Sequence, residues 1–409
     1  MARRRRTSAR RNLLLIGLLA GVCLALAAAL HLLDLSAPPL APEWQARMQQ
    51  SAQGPNNNAL NILLEAEKLL PRERPKPKLV PHPAIKGRQI AMRAERGTIG
   101  RQLAIDRPDD DPQLRAYLES CEPAFDKARQ AIGKPCFQNS IFTVYPRPGN
   151  RFGVLTHMAL YGELLARAPG GCEEALPYLL DAAVLAATLV ENNPFNHISH
   201  GDTALKQVAR CAWHEPSGDW LEEAARRLRE MGPPCADRRA MLLSAWSRID
   251  SMMNPPKEDT TQSNEPRARQ NRDARPFWSG LGRLYANYHL ARIVRAYAAD
   301  RQRFLELVQR PLPEIEQRTT AYQGMGGPYR SLTPDLLLKH IIKQAQQRQW
   351  PYWRAVFAVA LERFKRDHGT YPEQFDALLP EYVKAIPCDL QTGAPFRYRR
   401  LAEAYVLYA

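Results

Sequence analysis

An apolar run near the start of the chain constrains the location and fold of everything that follows it. Residues 13–33 (LLLIGLLAGVCLALAAALHLL) carry no formal charge, and six arginines precede them without an acidic residue among them. A helix of this length rises about 30 Å, which is enough to cross the hydrocarbon core of a bilayer. Arginines flanking one end of such a helix hold that end in the cytoplasm. The sequence therefore predicts a cytoplasmic arm over residues 1–12 and a single-pass signal anchor over residues 13–33.

The predicted topology places the remaining chain on the far side of a bacterial inner membrane, in the periplasmic or extracytoplasmic space. A cleaved signal peptide is the alternative for the apolar run, because Ala27-Ala28-Ala29 offers a small-residue cleavage site. The run continues to Leu33 and exceeds the usual signal-peptide core of about 7–15 residues, which favours a retained anchor. The bulk of the chain is exported in either case.

The basic excess of the chain is concentrated close to the predicted anchor. The formal net charge is +15, and residues 72–107 contain ten basic residues against three acidic ones. Basic residues near an anionic membrane surface gain about 1 kcal/mol each. Residues 72–107 are therefore a candidate tether to anionic lipid or to a cell-wall polymer, and the alternative is a solvated basic face without a specific partner. Nucleic acid is not an expected partner outside the cytoplasm.

Six cysteines follow the anchor, in a compartment that permits disulfides. None of them is spaced as CxxC, which argues against a zinc ribbon or a thioredoxin-like site. Two interpretations stay open: two or three structural disulfides, with Cys121–Cys136 as the first pairing expected, or buried thiols of a large helical protein. The possible disulfide cysteines are Cys121, Cys136, Cys172, Cys211, Cys235 and Cys388.

Residues 34–110 are predicted as a spacer followed by a basic, Pro-rich juxtamembrane region. The periodicity of NALNILLEAEKLL predicts a short amphipathic helix over 58–70. Five prolines over residues 71–83 favour an extended spacer, and residues 89–105 are predicted as a basic helix.

Residues 111–350 are predicted as a helical domain. Helical spacing of apolar residues recurs between Pro and Gly breaks such as Pro169-Gly170-Gly171, which indicates successive short helices in a bundle or an α-solenoid-like array. A polar loop is expected over 254–276, and a helix is expected over 334–347.

Residues 351–409 have the pattern of a small α+β module. An apolar helix stripe ends near His368-Gly369, a short helical turn follows, and residues 396–398 and 405–408 are predicted as the two strands of a β-hairpin. The expected fold class is therefore mainly α, with an N-terminal transmembrane helix, an exported helical region and a C-terminal module that carries a hairpin.

The order of residues in this module resembles the C-terminal half of type II secretion pseudopilins. In that family a helix ends in a Gly-x-Tyr-Pro turn, and a Leu-containing helix, Ile-Pro-x-Asp, a Gly turn and a Tyr-bearing hairpin follow. The matching positions are Gly369, Tyr371, Pro372, Leu378, Ile386, Pro387, Asp389, Gly393 and Tyr398. The resemblance implies the fold of the module and a link to a secretion or pilus-like apparatus.

The anchor lacks the Glu and the prepilin-peptidase site of pseudopilins, which argues against a pilus subunit. The layout as a whole also resembles a group of bacterial signal-anchored helical envelope proteins. That second resemblance implies location and fold, and no activity follows from it.

One histidine cluster is the candidate for chemistry. His197 and His200 are spaced to share a helix face and to bind a metal, with His157 or Asp202 as a third ligand. Capping and loop hydrogen bonds explain the same residues, since the Glu of an HExxH site is missing. No Gly-x-Ser-x-Gly elbow and no phosphate-binding glycine loop occurs.

We therefore expect no enzyme, no catalytic residue and no cofactor. The expected role is binding or scaffolding in the bacterial envelope, with the membrane and envelope or secretion proteins as partners. A metal-dependent hydrolase that uses the His197/His200 region is the alternative from another functional class.

Overall fold

The computed structural model is mainly helical, with short antiparallel strand pairs, as the sequence predicts for the exported chain. The described residues are 17, 19–25, 39–42, 58–71, 79–81, 89–91, 112–134, 136, 153–191, 200–214, 217–253, 281–323, 327–402 and 404–408.

The helices follow one another with short connections. They are α1 (Ala59–Lys68), α2 (Pro112–Glu119), α3 (Glu122–Arg129), α4 (Gly153–Leu165), α5 (Cys172–Glu191), α6 (His200–His214), α7 (Gly218–Met231), α8 (Arg238–Met253), α9 (Leu281–Ala299), α10 (Arg301–Leu307), α11 (Leu312–Thr319) and α12 (Pro334–His368). Short 3₁₀ segments lie at Thr320–Tyr322, Gly327–Leu332 and Phe375–Leu378, and the second of them is kinked at Tyr329. The strands are β1 (Leu79–Pro81), β2 (Gln89–Ala91), β3 (Arg397–Arg400) and β4 (Tyr405–Tyr408).

Side-chain caps explain where several of these helices begin. The Asn58 side chain accepts a hydrogen bond from the backbone N–H of Leu60, and Ser217 does the same for Trp220. Such caps satisfy backbone donors that have no partner inside the helix. The predicted helix over 58–70 is therefore confirmed as α1.

The core of the helical region lies between α4, α5, α6 and α12. Helix α4 packs on α5, α5 packs on α6, and α6 packs on α12. Gly162 permits the close approach of the first pair, since a Cβ atom there would lie 2.8 Å from Leu179 Cγ. The largest fully buried side chains of the molecule include Trp246, Tyr297 and Phe125.

Helix α12 is one continuous element of 35 residues, where the sequence predicts two helices separated near Pro351. A proline removes one helical hydrogen bond and is usually costly inside a helix. Here apolar residues before and after Pro351 are buried, and Tyr352 Oη donates a hydrogen bond to the carbonyl oxygen of Leu228. Tertiary packing on both sides therefore keeps the helix continuous across the predicted boundary at residue 350/351.

The two ends of α12 belong to two hydrophobic clusters. Its first part packs in the large cluster of the helical region, and Phe357, Ala360 and Leu361 pack in a smaller cluster with the residues that follow the helix. The predicted β-hairpin is confirmed as the antiparallel pair β3–β4 beside this smaller cluster. The division into domains at residues 110, 350 and the other predicted boundaries stays a prediction.

The juxtamembrane region differs from the sequence prediction where the structure describes it. Residues 89–91 form strand β2, antiparallel to β1 with Val80 opposite Ile90, so a helix beginning at residue 89 is wrong. Each strand has one β-branched residue at its centre, Val80 and Ile90, and such residues favour strands. The rest of residues 72–107 lies outside the described residues.

The predicted spacer over residues 34–55 also contains an ordered contact with the helical region. Leu40 and Ala41 are fully buried, with hydrogen bonds to α8 and α10. Apolar periodicity does not predict helices α10 and α11, because each is too short to show a clear repeat. The predicted loop over 254–276 lies outside the described residues.

The predicted anchor falls mostly outside the described residues. Its described part, residues 19–25, is helical and exposed, with Leu19 and Leu24 among the exposed apolar side chains. Within the described chain, no helix has the length and apolar character needed to span a membrane.

Candidate functional site

The structure does not assemble the predicted histidine site in the part of the chain that it describes. His197 lies outside the described residues, and His200 is the first residue of α6, with a side chain that is likewise not described. His157 is buried on α4, where its Nε2 lies 3.5 Å from Tyr117 Oη. Among the described residues, no group of three or more His, Cys, Asp or Glu is arranged to hold a metal ion.

Asp202, the other predicted third ligand, faces an arginine. Its Oδ2 atom lies 3.2 Å from Nη1 of Arg348, and the side chains are 23% and 5% exposed. Helices α6 and α12 bring these two residues together, and sequence analysis did not single out Arg348. Arg348 could have been noticed in the sequence as a lone arginine in the QAQQRQWPYW stretch of α12, because residues on both sides of it pack inward.

A shallow pocket of about 250 Å³, a volume that includes open solvent, lies beside this ion pair. Helix α6 approaches α5 closely at the pocket, because a Cβ atom at Gly201 would lie 2.7 Å from Ala186 Cβ. Asp202 and Arg348 are the charged residues of the lining. The lining residues are Ala183, Ala186, Ala187, Gly201, Asp202, Leu205, Pro234 and Arg348.

Burial raises the pKa of Asp202 to about 6, although the charge of Arg348 and that of Lys206 oppose the shift. The carboxylate therefore exchanges a proton in a range slightly below neutral pH. We interpret the Asp202–Arg348 pair as a contact that ties α6 to α12.

The six cysteines after the predicted anchor match the second interpretation of the sequence, buried thiols of a helical protein, except for Cys388. The structure records thiols at all six positions, five of them buried and Cys388 exposed, so the predicted Cys121–Cys136 pairing is not formed. The Cys121 thiol donates to the carbonyl oxygen of Tyr117 over 3.3 Å. Burial raises the pKa of the Cys136 thiol to about 12, which keeps it protonated and unreactive.

The residues that carry the pseudopilin resemblance lie together around the end of α12. Gly369 ends the helix with φ +75°, a left-handed conformation that favours glycine. Tyr371 Oη then donates to the buried carboxylate of Glu362 over 2.8 Å. Leu378 is fully buried in the smaller cluster, and Tyr398 Oη donates to the carbonyl oxygen of Pro372 over 2.7 Å.

The Ile-Pro-x-Asp part of the pattern and the Gly turn after it lead into the hairpin. Asp389 Oδ1 accepts hydrogen bonds from the backbone N–H groups of Gln391 and Thr392, at 2.9 and 2.7 Å. Gly393 closes the turn with φ +74°. Ile386 packs against the smaller cluster, and the Pro387 carbonyl oxygen accepts from the N–H of Phe396.

The hairpin has an inner face toward this cluster and an outer face toward solvent. The register pairs Arg397 with Tyr408 and Arg399 with Val406, and all four side chains are exposed. Val406 and Tyr408 are 37% and 42% exposed, which is high for large apolar or aromatic residues. Among the described residues, no carboxylate pairs with Arg397 or Arg399.

The outer face of β3–β4 is therefore the candidate interaction surface, and we refer to it as the hairpin surface. It combines two cationic side chains with an aromatic and an aliphatic one on a scaffold held by β-sheet hydrogen bonds. Arginine and tyrosine are enriched at protein interfaces, where they provide much of the binding energy. The sequence predicted the hairpin but not this surface, because the register of the strands decides which side chains share a face.

Comparisons of the chain with protein-family models, with curated proteins and with solved structures find no match.

Proposed function

We propose that the chain is a single-pass envelope protein whose exported part binds or scaffolds other envelope proteins through the hairpin surface. The observation that carries the proposal is the exposed group of Arg397, Arg399, Val406 and Tyr408 on one face of β3–β4. A face of this composition fits an acidic protein segment, whose carboxylates pair with the arginines while its apolar side chains cover Val406 and Tyr408.

The anchor in this proposal is supported by the sequence of residues 13–33 and by the exposure of its described part. Leu19, Val22 and Leu24 lie on a helical segment and are 54% to 71% exposed. A contiguous exposed apolar surface indicates contact with a membrane or a partner. The arginines over residues 1–12 then place the exported region outside the cytoplasm.

Contacts with the helical region hold the hairpin surface in a fixed position. The N–H of Leu312, at the start of α11, donates to the carbonyl oxygen of Leu390 over 2.8 Å. The Gln346 side chain bridges to the same turn, donating to Asp389 and accepting from the N–H of Leu390. A binding surface that is already ordered loses less entropy when a partner binds.

The pseudopilin-like order of residues around this turn supports a partner in a secretion or pilus-like apparatus. The second functional class, a metal-dependent hydrolase, gains no specific observation from the described residues.

Photocrosslinking in cells tests the proposal at the hairpin surface. A photoreactive amino acid replaces Tyr408 in the full chain, and the captured proteins are identified by mass spectrometry. We expect envelope proteins with acidic segments, and we expect Arg397→Glu/Arg399→Glu to lower capture at least about tenfold, because like charges at an interface cost several kcal/mol.

The matched control is Lys343→Glu/Lys384→Glu, which makes the same change in net charge at two exposed positions away from the hairpin. This control is expected to leave capture unchanged. Equal capture by the hairpin variant and the control would contradict binding through the hairpin surface. A truncation at residue 350 is unsuitable as a control, because it would cut α12 in the middle of two hydrophobic clusters.

A further inference from the structure

The segment that follows the predicted anchor is built into the helical region. The carboxylate of Asp250, near the end of α8, accepts hydrogen bonds from the backbone N–H groups of Leu40 and Ala41 at 3.0 and 3.1 Å. Nε of Arg301, the first residue of α10, donates to the carbonyl oxygen of Leu40 over 3.1 Å. Leu40 and Ala41 are fully buried at this contact, which we call the docked segment (residues 39–42).

The docked segment limits how far this part of the molecule can lie from the membrane. Leu40 lies seven positions after Leu33, the end of the predicted anchor, and a fully extended chain of that length spans at most about 25 Å. Arg301 and Asp250 are therefore restricted to the first 25 Å or so above the bilayer. The length of the chain alone sets this limit.

Helix α9 ends next to the docked segment. Ala299 is its last residue, and Arg301 follows two positions later. Because a helix rises 1.5 Å per residue, Arg295 and Arg292 lie about 6 and 10 Å from Ala299 along the axis of α9. The ring contacts of Trp246 on α8 with Tyr297 of α9 (5.3 Å) and with the Arg301 guanidinium (5.9 Å) hold α8, α9 and α10 together at this end.

One stripe of α9 has the composition of a membrane-interface surface. Tyr285, Tyr288, Arg292 and Arg295 follow a spacing of three, four and three residues, which places them on one helix face. Tyr285 is 54% exposed, the two arginines are exposed, and the Arg292 guanidinium lies 5.8 Å from the centre of the Tyr288 ring. Tyrosines and arginines are the side chains that settle at the headgroup level of a bilayer.

The charge of this region complements an anionic membrane surface. Residues 281–310 contain six arginines against Asp300 and Glu306. This excess is separate from the basic residues 72–107 that the sequence analysis singled out. It belongs to helices that the docked segment keeps near the bilayer.

We propose that the α9 stripe is the membrane-facing surface of the exported region and contacts anionic lipid headgroups, with the docked segment as the strap that holds it there. The inference rests on the anchor of the proposed function. The inference gives the anchored protein an orientation, in which the side of α9 that carries Tyr285 and Arg292 faces the bilayer. The contact of Asp250 with Leu40 and Ala41 sets that orientation.

Quenching of a fluorophore by lipids with a spin-labelled headgroup tests this orientation in the full chain. Cys23 and Cys388 are first replaced by Ser, because they are the exposed cysteines among those described. The fluorophore is then placed at Tyr285→Cys or, as a control, at Arg226→Cys on the exposed face of α7. In vesicles that contain an anionic lipid, we expect clearly stronger quenching at position 285 than at position 226.

Two variants separate the strap from the lipid contact. Insertion of 20 Gly/Ser residues after residue 35 adds a root-mean-square reach of about 25 Å and leaves the docked contact intact, so quenching at position 285 is expected to fall. In anionic vesicles, Arg292→Glu/Arg295→Glu is expected to lower the fraction of molecules whose α9 stripe contacts the headgroups at least about tenfold. Each arginine near such a surface changes that fraction about fivefold.

The outcomes distinguish this inference from the proposed function. A protein that resists alkaline carbonate extraction but shows equal quenching at positions 285 and 226 would overturn the orientation and leave the anchored binding protein standing. Quenching at 285 that neither variant lowers would overturn the strap and the headgroup contact. Release by carbonate would contradict the anchor and, with it, both proposals.

Discussion

Gly171→Ala is expected to lower the free energy of unfolding by about 3 kcal/mol or more. Gly171 lies in the turn between α4 and α5, and a Cβ atom there would come within 2.0 Å of the Leu165 carbonyl oxygen and 3.1 Å of the Ala168 carbonyl oxygen. Both oxygens are backbone acceptors of the turn, bonded to the N–H groups of Ala168 and Gly171 at 3.0 and 2.9 Å. The clash cannot be relieved by a side-chain rotation, so the end of α4 must shift.

Gly170→Ala is the matched control, one residue away. Gly170 has φ +70°, but nothing lies within 4 Å of a Cβ atom at this position. The expected cost is therefore that of a left-handed alanine alone, about 1 kcal/mol. Guanidinium denaturation of the full chain in detergent, followed by far-ultraviolet circular dichroism, measures both variants. An equal loss of unfolding free energy in both variants would contradict the expected clash of the Cβ atom with the Leu165 carbonyl oxygen.

Asp181→Ala is expected to cost about 3–5 kcal/mol of stability. The Asp181 side chain on α5 is 6% exposed and accepts from Arg129 Nε of α3 at 3.0 Å and from Arg227 Nη2 of α7 at 2.5 Å. Burial lowers the pKa of Arg129, but the hydrogen bonds that Arg129 donates to Glu122, Asp181 and Asp126 outweigh burial and raise that pKa. Removal of Asp181 therefore leaves the half-buried guanidinium groups of Arg129 and Arg227 without the buried carboxylate that they share, although Arg129 keeps Glu122 and Asp126 as partners.

A surface ion pair of the same kind provides the control for Asp181. Glu223 faces Arg226 on the exposed side of α7 at 2.6 Å, and Glu223→Ala is expected to leave stability nearly unchanged because solvent screens exposed pairs. The same denaturation experiment measures both variants. A loss for Asp181→Ala as small as that for Glu223→Ala would mean that the three-helix junction of α3, α5 and α7 does not depend on this carboxylate.

The sequence predicts much of the fold because its local signals agree with the tertiary structure. Asn58 and Ser217 stand where caps are needed, and Gly170-Gly171 separates α4 from α5. The alternation of Arg397–Arg400 and Tyr405–Tyr408 matches the register of the hairpin. Each of these features depends on residues within a few positions of one another, so periodicity and propensity are sufficient to find them.

The features that the sequence did not predict depend on contacts over long separations. Pro351 is accommodated inside α12 because the helix is buried on both sides of it, and propensity rules give no weight to such packing. The Asp250 contact with Leu40 joins residues 210 positions apart, and the Asp202–Arg348 pair joins residues 146 positions apart. A single sequence carries no signal for such pairings, so the docked segment and the pocket emerged only from the structure.

Both proposals require the helical region and the hairpin surface to lie outside the cytoplasm. Cys388 allows a direct test with a native residue, because it is exposed whereas the other five cysteines after the anchor are buried. The reagent is a membrane-impermeant maleimide, applied to intact spheroplasts that express the full chain. Cys388→Ser provides the control for labelling at any other position.

We expect the reagent to label Cys388 in intact spheroplasts, and we expect the label to be lost in the Cys388→Ser variant. Labelling that appears only after the inner membrane is permeabilised would place the C-terminal module in the cytoplasm. That result would contradict the predicted topology, the proposed binding of envelope proteins and the membrane-facing role of the α9 stripe on the outer side of the bilayer.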